Sequence, residues 1–239
     1  MFKNAPQAVG IMRRAKPGQS QVVRHTVATQ MLGRPPANKV GQYAYSNAGY
    51  IVLGAGIEGL EKTSWEALMR RHLFKPLGMH GCGFGAPATP ARPDQPWGHV
   101  KKDGAFQPVP LGPNTDNPPA LGPAGTVHCD LRSWTQFLIV HLGGGPSHYL
   151  KPATLKRLHT PNPASKYAYG WLAPIPKALT HAGSNQMNYA EVWLLKPFKM
   201  GFIIVTNAGP INVVSRPINQ AFPGLFRRFV KPPSKKTNK

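Results

Sequence analysis

The sequence predicts an α/β fold in which helices from the middle of the chain flank an antiparallel sheet formed by its C-terminal half. Apolar residues recur at helical spacing within residues 45–75 and again within residues 131–141. After residue 169 the pattern changes to alternation or to short continuous apolar runs, which are typical of strands. Most of the predicted helices therefore precede the sheet along the chain.

Five helices are predicted, and the first two follow one another within Tyr45–Lys75. The first carries an apolar stripe at the spacing of helical turns, made by Tyr50, Leu53, Ile57 and Leu60. The second ends at Pro76, which cannot continue a helix. The other three are a helix capped by Asp130 and ended by Gly143–Gly145, a short helix Pro152–His159 and a closing helix Ile211–Val230.

Four strands are predicted: Tyr169–Ala173, Leu179–Ser184, Tyr189–Leu195 and Gly201–Asn207. The turn Lys196–Met200 is short, so the last two strands form an antiparallel hairpin. The run Gly201–Val205 has no polar residue, which predicts a strand buried on both faces. Residues 84–123 contain ten prolines and are predicted to be irregular.

The charge balance limits the chemistry that this chain can perform. Its 239 residues include 29 Lys and Arg but only 8 Asp and Glu, which gives a formal net charge of +21. The carboxylates are too few for a Ca²⁺ or Mg²⁺ cage or for the acidic pair of a glycosidase, so no metal site is expected. No zinc finger, recognition helix or alternation of aromatic and arginine residues is visible, so specific nucleic-acid recognition is not expected either.

Residues 1–230 are predicted to form one domain, followed by a basic, disordered tail over residues 231–239 that contains four lysines. No apolar run reaches the roughly 18 residues that a membrane-spanning helix needs. No signal peptide is visible at the start of the sequence, and the compartment is therefore left open.

The two cysteines, Cys82 and Cys129, are 47 positions apart. Without a second pair of ligands they cannot form a zinc ribbon. A disulfide between them is the alternative, but nothing in the sequence favours it. We therefore expect both to pack as small apolar residues.

One glycine motif, Gly54-Ala-Gly56-Ile-Glu-Gly59, matches the dinucleotide-binding pattern G-x-G-x-x-G. A dinucleotide site also needs a β-α-β unit and an acidic residue about 20 positions further on for the ribose. Neither is present, because the first acid after Glu66 is Asp94. We therefore expect these small residues to let one helix pack closely on another, and a flavin or dinucleotide protein is the least favoured function.

Two distant segments carry side chains suited to acyl-transfer chemistry: Tyr45-Ser46-Asn47 before a helix, and His181-Ala-Gly183-Ser184-Asn185 on a strand. A tyrosine at the mouth of a cleft can relay a proton if a nearby cation, such as protonated His181, lowers its pKa. Asn47 offers both an amide donor and an acceptor to a substrate. Gly183 leaves the strand edge bare, so that an acyl substrate can lie against it.

These segments and the runs Y-S-N-A-G-Y, F-K-P-L-G-M and G-P-A-G-T-V-H resemble the serine β-lactamase and D-alanyl-D-alanine carboxypeptidase superfamily, specifically class C-like enzymes and their esterase relatives. The resemblance covers residues 35–207. It implies a β-lactamase/transpeptidase-like fold, hydrolysis of an amide, β-lactam or ester through an acyl-enzyme, and no cofactor. It also implies the site: Tyr45 as proton relay, Asn47 and His181 orienting the substrate, Gly183 and Asn185 beside it, and the Ser184 amide as a donor of the oxyanion hole.

The sequence departs from this superfamily at the nucleophile. The family uses the serine of S-x-x-K at a helix N-terminus, where one helical turn brings the lysine amine beside the hydroxyl. None of the nine serines here is followed by lysine three positions later. The resemblance therefore implies a protein that lacks the N-terminal part of the fold, has no nucleophile and is inactive as written.

The missing part also has a structural consequence. The resembling fold places its first strand beside its last, so Gly201–Asn207 would be an unpaired apolar edge. We expect the chain to complete its sheet with a second polypeptide and to bind a small-molecule or peptide-like acyl substrate. The alternative function is a non-catalytic protein that binds anionic envelope polymers through its basic surface.

Overall fold

The computed structural model describes residues 6–229, except residues 15, 17, 37, 40, 90–93, 113, 114 and 148. The predicted tail 231–239 lies outside the described residues. The helices are α1 (Pro6–Arg13), α2 (Ser20–Leu32), α3 (Asn47–Glu61), α4 (Trp65–Met69), α5 (Gly122–Gly125), α6 (Leu131–His141), α7 (Pro152–Leu158) and α8 (Ile211–Phe229). The strands are β1 (Cys82–Phe84), β2 (His99–Lys102), β3 (Ala105–Pro108), β4 (Val127–Cys129), β5 (Tyr167–Ala168), β6 (Trp171–Leu172), β7 (Ala178–Ser184), β8 (Tyr189–Leu195) and β9 (Met200–Thr206).

The predicted α/β architecture is confirmed: strands β5 to β9 form one antiparallel sheet in chain order, with a helix on each face. On one face, Leu138 of α6 packs in a buried cluster with Val192 and Leu194 of β8. On the other face, Val214 and Ile218 of α8 pack against Tyr189. Residues of β8 therefore alternate between the two helices, as the period of a strand requires.

The predicted strand Tyr169–Ala173 is wrong at its start. Tyr169 and Gly170 have positive φ angles of 47° and 101° and form the two-residue turn between β5 and β6. Such a turn needs left-handed backbone at both positions, which Gly170 adopts freely and Tyr169 does not. The other three predicted strands are confirmed to within one residue, and β8 matches Tyr189–Leu195 at both ends.

Strand β9 lies at the edge of the described sheet, paired only with β8. The prediction that Gly201–Val205 is buried on both faces is therefore wrong, since Val205 is 49% exposed. A continuous apolar run does not distinguish a central strand from an edge strand. The sequence pattern reflects the polarity of the side chains, whereas an edge is defined by missing backbone hydrogen bonds.

The helical layer is formed by α1 to α4 and the segment 119–125. Its core contains Met12, Val27, Ile51, Ala120 and Leu121. The predicted apolar stripe of α3 faces away from this core: Leu53, Ile57 and Leu60 are exposed within the described part of the chain.

A buried ion cluster ties the helical layer together. The guanidinium of Arg24 on α2 donates to Glu58 of α3 and to Glu66 of α4, and Arg24 and Glu58 are fully buried. Glu58 also accepts from the backbone N–H of Trp65 at 2.8 Å. These charged groups therefore join three helices. The composition shows that acids are few, but it does not show that two of them bind Arg24.

The glycine motif of α3 lies inside the helix and not at its N-terminus. A Cβ on Gly54 would lie 2.4 Å from Cγ of Pro123, so this position needs glycine for close packing. The helix-packing interpretation is confirmed at Gly54, whereas Gly56 and Gly59 have no neighbour within 4 Å of a Cβ. No backbone N–H of this stretch is free for a pyrophosphate, because each lies within the helical hydrogen-bond ladder.

Cys82 and Cys129 face each other in the β1–β4 pair and form a disulfide. The expectation that both pack as apolar thiols is therefore wrong. The predicted irregular segment 84–123 also contains the hairpin β2–β3, which contacts the end of β9 where His99 bridges Ala208. None of the described helices is long and apolar enough to cross a membrane.

Candidate active site

The start of α3 carries the first predicted site segment. Ser46 is the N-cap of the helix, and its Oγ accepts from the backbone N–H of Gly49 at 3.1 Å. Asn47 occupies the first helical position and is buried, whereas the ring of the preceding Tyr45 is exposed. The cap therefore fixes the direction in which the segment enters the helix, with Tyr45 on the open side.

The second predicted segment, His181–Ser184, lies where β7 has one free edge. β7 pairs with β8 along its whole length, but it meets β6 only at the pair Leu172 and Thr180. From His181 onward, no described strand pairs with the other side of β7. Gly183 also has nothing within 4 Å of a Cβ position, so the face of the strand is open at this residue as well.

The β5–β6 turn brings the two segments together, first through tyrosines. The ring of Tyr167 on β5 lies 6.2 Å from that of Tyr45 and 5.2 Å from that of Tyr43, between centroids. The hydroxyl of Tyr167 is 3.5 Å from that of Tyr50 on α3. β5 therefore packs directly on the segment that contains Tyr45.

The same turn contacts the strand motif. The backbone of Gly170 lies close enough to the side chain of His181 to oppose the lowering of its pKa, and Nδ1 of His181 is buried with no hydrogen-bond partner among the described residues. A Cβ on Gly170 would lie 3.6 Å from the hydroxyl of Tyr50. Tyr45 and His181 therefore lie on either side of the turn Tyr167–Gly170, and they belong to the same region of the molecule.

A pocket of about 220 Å³ opens at the helical side of this region. Its walls are largely aromatic and include Tyr43, Tyr45, Ser46, Tyr50, Leu53 and Tyr167. No charged side chain that the structure describes lines it, so the pocket suits an apolar or aromatic substituent next to polar groups that orient it.

The pKa shifts of Tyr45 and His181 do not fit the predicted proton relay. Burial and the neighbouring Tyr50 raise the pKa of Tyr45 above its ordinary value. Burial lowers the pKa of His181, against a smaller opposing effect of the nearby backbone of Gly170. His181 is therefore neutral at pH 7 and cannot act as the cation that lowers the pKa of the tyrosine. At that pH Tyr45 is a protonated phenol, which donates a hydrogen bond but does not accept a proton as a base.

Ser184 has its side chain engaged within the protein. Its Oγ donates to the carbonyl of Gly209 and accepts from the backbone N–H of Gln186 at 2.8 Å. These bonds hold the end of β7 in place. They leave the hydroxyl of Ser184 poorly placed to act as a nucleophile.

Asn185 is also largely engaged. Its Oδ1 accepts from the backbone N–H groups of Met187 at 3.0 Å and Asn188 at 2.7 Å. Its Nδ2 donates to the carboxylate of Asp116 at 2.8 Å. One N–H of the amide remains for the substrate contact predicted from the sequence.

The fold and the order of these elements match a known family. The Beta-lactamase family model matches residues 7–221. The chain belongs to the β-lactamase family. No curated protein matches the sequence.

Solved structures share the β-lactamase-family fold at low identity. They include a penicillin-binding protein homologue from Pyrococcus abyssi (18% identity, TM-score 0.65), a class C β-lactamase (20%, 0.65) and a D-amino acid amidase from Ochrobactrum anthropi (18%, 0.64). The matches cover 87%, 88% and 91% of this chain but only 49%, 64% and 67% of those proteins. The chain thus spans about half to two thirds of their length.

Three residues of this candidate site were not found from the sequence. Tyr167 and Gly170 connect the two predicted segments, and Asp116 holds Asn185 from within the proline-rich stretch. Gly170 carried a usable signal, because a glycine between two short aromatic runs is typical of a hairpin turn. Asp116 carried none, since its contact with Asn185 spans 69 positions.

Among the described residues no group of three or more His, Cys, Asp and Glu side chains is arranged to hold a metal ion. Two of the acids have shifted pKa values. Burial raises the pKa of Asp116, and hydrogen bonds from Ser133 lower the pKa of Asp130, which is the N-cap of α6. Asp130 is therefore a helix cap, and Asp116 lies at the candidate site as the partner of Asn185.

Proposed function

We propose that this chain forms the substrate-orienting part of a serine hydrolase site that acts on the carbonyl of an amide, β-lactam or ester. The observation that carries the proposal is the free edge of β7 at His181–Ser184, on the far side of the Tyr167–Gly170 turn from the tyrosine-lined pocket. The similar structures named above include a β-lactamase and an amidase, which supports this class of substrate.

Each residue has a role that its chemistry permits. The backbone N–H of Ser184 donates to the carbonyl oxygen of the substrate, where negative charge develops during acyl transfer. Asn47 and the neutral imidazole of His181 orient the acyl group. Tyr45, whose raised pKa keeps it a neutral phenol at pH 7, donates a hydrogen bond to the leaving-group atom of the bound substrate.

The 239 residues contain no S-x-x-K motif to supply the nucleophile. None of the nine serines precedes lysine at the required spacing. The two serines within the site motifs have their hydroxyls engaged: Ser46 caps α3, and Ser184 bonds Gly209 and Gln186. The chain by itself is therefore proposed to bind an acyl substrate without forming an acyl-enzyme.

Intact-protein mass spectrometry after incubation with benzylpenicillin tests the absence of a nucleophile. We expect the mass of the chain to stay unchanged. A penicilloyl adduct mapped to one serine, and lost when that serine is replaced by alanine, would contradict the proposal. Ser46→Ala and Ser184→Ala are the first two variants to compare.

We also propose that the outer edge of β9 pairs with a strand of a second polypeptide. In the described residues β9 has a neighbour on one side only, and it presents the apolar run Gly201–Val205. An edge of this kind has unpaired backbone donors and acceptors that another strand can satisfy.

A further inference from the structure

One end of the sheet, opposite to the candidate active site, collects exposed apolar and basic side chains. The β6–β7 turn and the β8–β9 turn lie side by side there, because Ala178 pairs with Leu195 and the N–H of Lys196 donates to the carbonyl of Lys177 at 3.1 Å. The last turns of α8 reach the same end, where the ring of Phe226 packs edge-on against that of Phe198, with centroids 5.9 Å apart.

Large apolar side chains are left in solvent at this end. Ile175 is 55% exposed, Phe198 43%, Phe226 39% and Phe229 54%. They come from three separate segments of the chain, which are the two turns and α8. A single exposed apolar residue would need no explanation. Four of them at one end of the molecule indicate a contact surface.

Basic residues share these segments with the apolar ones: Lys177, Lys196, Lys199, Arg227 and Arg228. Residues 173–178, 196–200 and 222–229 contain no acidic residue. The nearest acid along β8 is Glu191, which is buried and accepts from Tyr189 and Trp193. We call this set of four apolar and five basic residues the aromatic-basic face.

We propose that the aromatic-basic face binds the surface of a bilayer that contains anionic lipids. The phenylalanine rings enter the boundary between headgroups and acyl chains, while the lysines and arginines contact the lipid phosphates. A soluble anionic polymer would satisfy the cations but leave the rings in water. The combination of both side-chain classes on one face therefore favours lipid as the partner.

This orientation leaves the candidate site accessible. The aromatic-basic face lies at the Ala178 end of β7, and the free edge begins at His181 and continues to Ser184. Five residues of extended strand separate Ala178 from Gly183, which is about 16 Å. The inference does not depend on the proposed function, since it uses none of the site residues.

Co-sedimentation with vesicles tests the proposal on the full chain. Vesicles of phosphatidylcholine alone are compared with an equal mixture of phosphatidylcholine and phosphatidylglycerol, at about 0.15 M salt. We expect the chain to sediment with the mixed vesicles only. Recovery in the supernatant with both kinds of vesicle would overturn the proposal.

Two pairs of substitutions separate lipid binding from attraction by overall charge. Arg227→Gln with Arg228→Gln is expected to weaken binding by about 25-fold, from roughly fivefold per basic residue. Lys101→Gln with Lys102→Gln removes the same charge from the β2–β3 hairpin, which contacts the other end of β9, and is expected to change binding less than twofold. Equal losses in both pairs would overturn the assignment to this face.

The aromatic part is tested by Phe226→Ser with Phe229→Ser, which is expected to weaken vesicle binding about tenfold with unchanged circular dichroism. A Phe229→Trp variant gives an independent readout, because brominated lipids should quench its fluorescence beyond that of the native tryptophans. If brominated lipids quench the sedimented Phe229→Trp variant no more than the wild type, insertion of this ring is contradicted. Heparin binding as tight as vesicle binding, and unaffected by the phenylalanine changes, would assign the face to an anionic polymer instead.

Discussion

The sequence shows that acidic residues are few, but it does not show which residues they bind. Eight acids in 239 residues indicate that each has a specific role, but not which one. Glu58 and Glu66 turn out to hold the buried guanidinium of Arg24, 34 and 42 positions away. No local pattern predicts such a pairing, because the partners meet only after three helices have packed.

Replacing Arg24 with methionine is the sharpest test at this scale. The side chain keeps its approximate volume, but Glu58 loses its buried counter-charge, so we expect the free energy of unfolding to fall by about 3–5 kcal/mol. Urea denaturation at pH 7 measures the change.

The control for Arg24→Met is Arg71→Met at an exposed position, for which we expect a change within about 0.5 kcal/mol. Adding Glu58→Gln to Arg24→Met should recover part of the loss, since no buried charge is then left alone. A loss below about 1 kcal/mol for Arg24→Met would show that the cluster contributes little.

Elements are predicted well where the signal is local. Strand β8 and the Asp130 cap of α6 follow from residues within a few positions of each other. The disulfide and the exposed face of α3 do not, because each depends on which elements become neighbours. The same holds for the site: its two segments were found from motifs, but the β5–β6 turn that joins them was not.

The disulfide between β1 and β4 closes a loop of 47 residues. Replacing Cys82 and Cys129 with alanine frees this loop in the unfolded chain, so we expect the free energy of unfolding to fall by about 2–4 kcal/mol. Urea denaturation with and without dithiothreitol measures it. The reductant should destabilise the wild type and leave the double variant unchanged, and a wild type insensitive to full reduction would contradict the prediction.

A histidine pair joins α6 to the end of α7. Nδ1 of His141 lies 2.8 Å from Nε2 of His159, and burial lowers the pKa of both rings to about 4. The positive charge of each ring is further disfavoured, in His141 by His159 and in His159 by Lys196. The folded protein therefore keeps both rings neutral in a pH range where the unfolded chain protonates them.

The free energy of unfolding should therefore fall as the pH drops from about 7 to about 4, by at most about 1.4 kcal/mol per pH unit for the largely buried His141. His159 is half-exposed and contributes in the same direction, by an amount that solvent screening reduces. Above about pH 7 the pair should have no effect on the pH dependence, since both states are then neutral. His159→Gln should flatten the slope measured by urea denaturation at a series of pH values. The exposed His80→Gln serves as control, and equal slopes in His159→Gln and the wild type would contradict the prediction.

At the scale of the whole molecule, the chain has the β-lactamase-family fold over a length that covers about half to two thirds of the similar structures named above. The sequence predicted this family from ordered motifs and predicted an apolar edge at the last strand. What it could not predict is which faces remain uncovered, because that depends on every element of the fold at once.

The free edge of β9 predicts association of the purified chain. We expect the sedimentation coefficient to rise with protein concentration, because edge strands of two chains can pair in the absence of another partner. Val205→Lys places a charge on the edge strand and should shift the protein toward monomer, whereas Val22→Lys on α2 should not. A chain that stays monomeric at all concentrations and unfolds cooperatively at high temperature would contradict an incomplete sheet.

We propose that the start of α3 and the free edge of β7 form one site for an acyl group. Titration of the ¹⁵N-labelled chain with benzylpenicillin, followed by NMR, tests this proposal. The amide signals of Tyr45, Asn47, Gly183 and Ser184 should shift together and saturate with one dissociation constant. Shifts confined to one of the two segments, or to neither, would contradict a shared site.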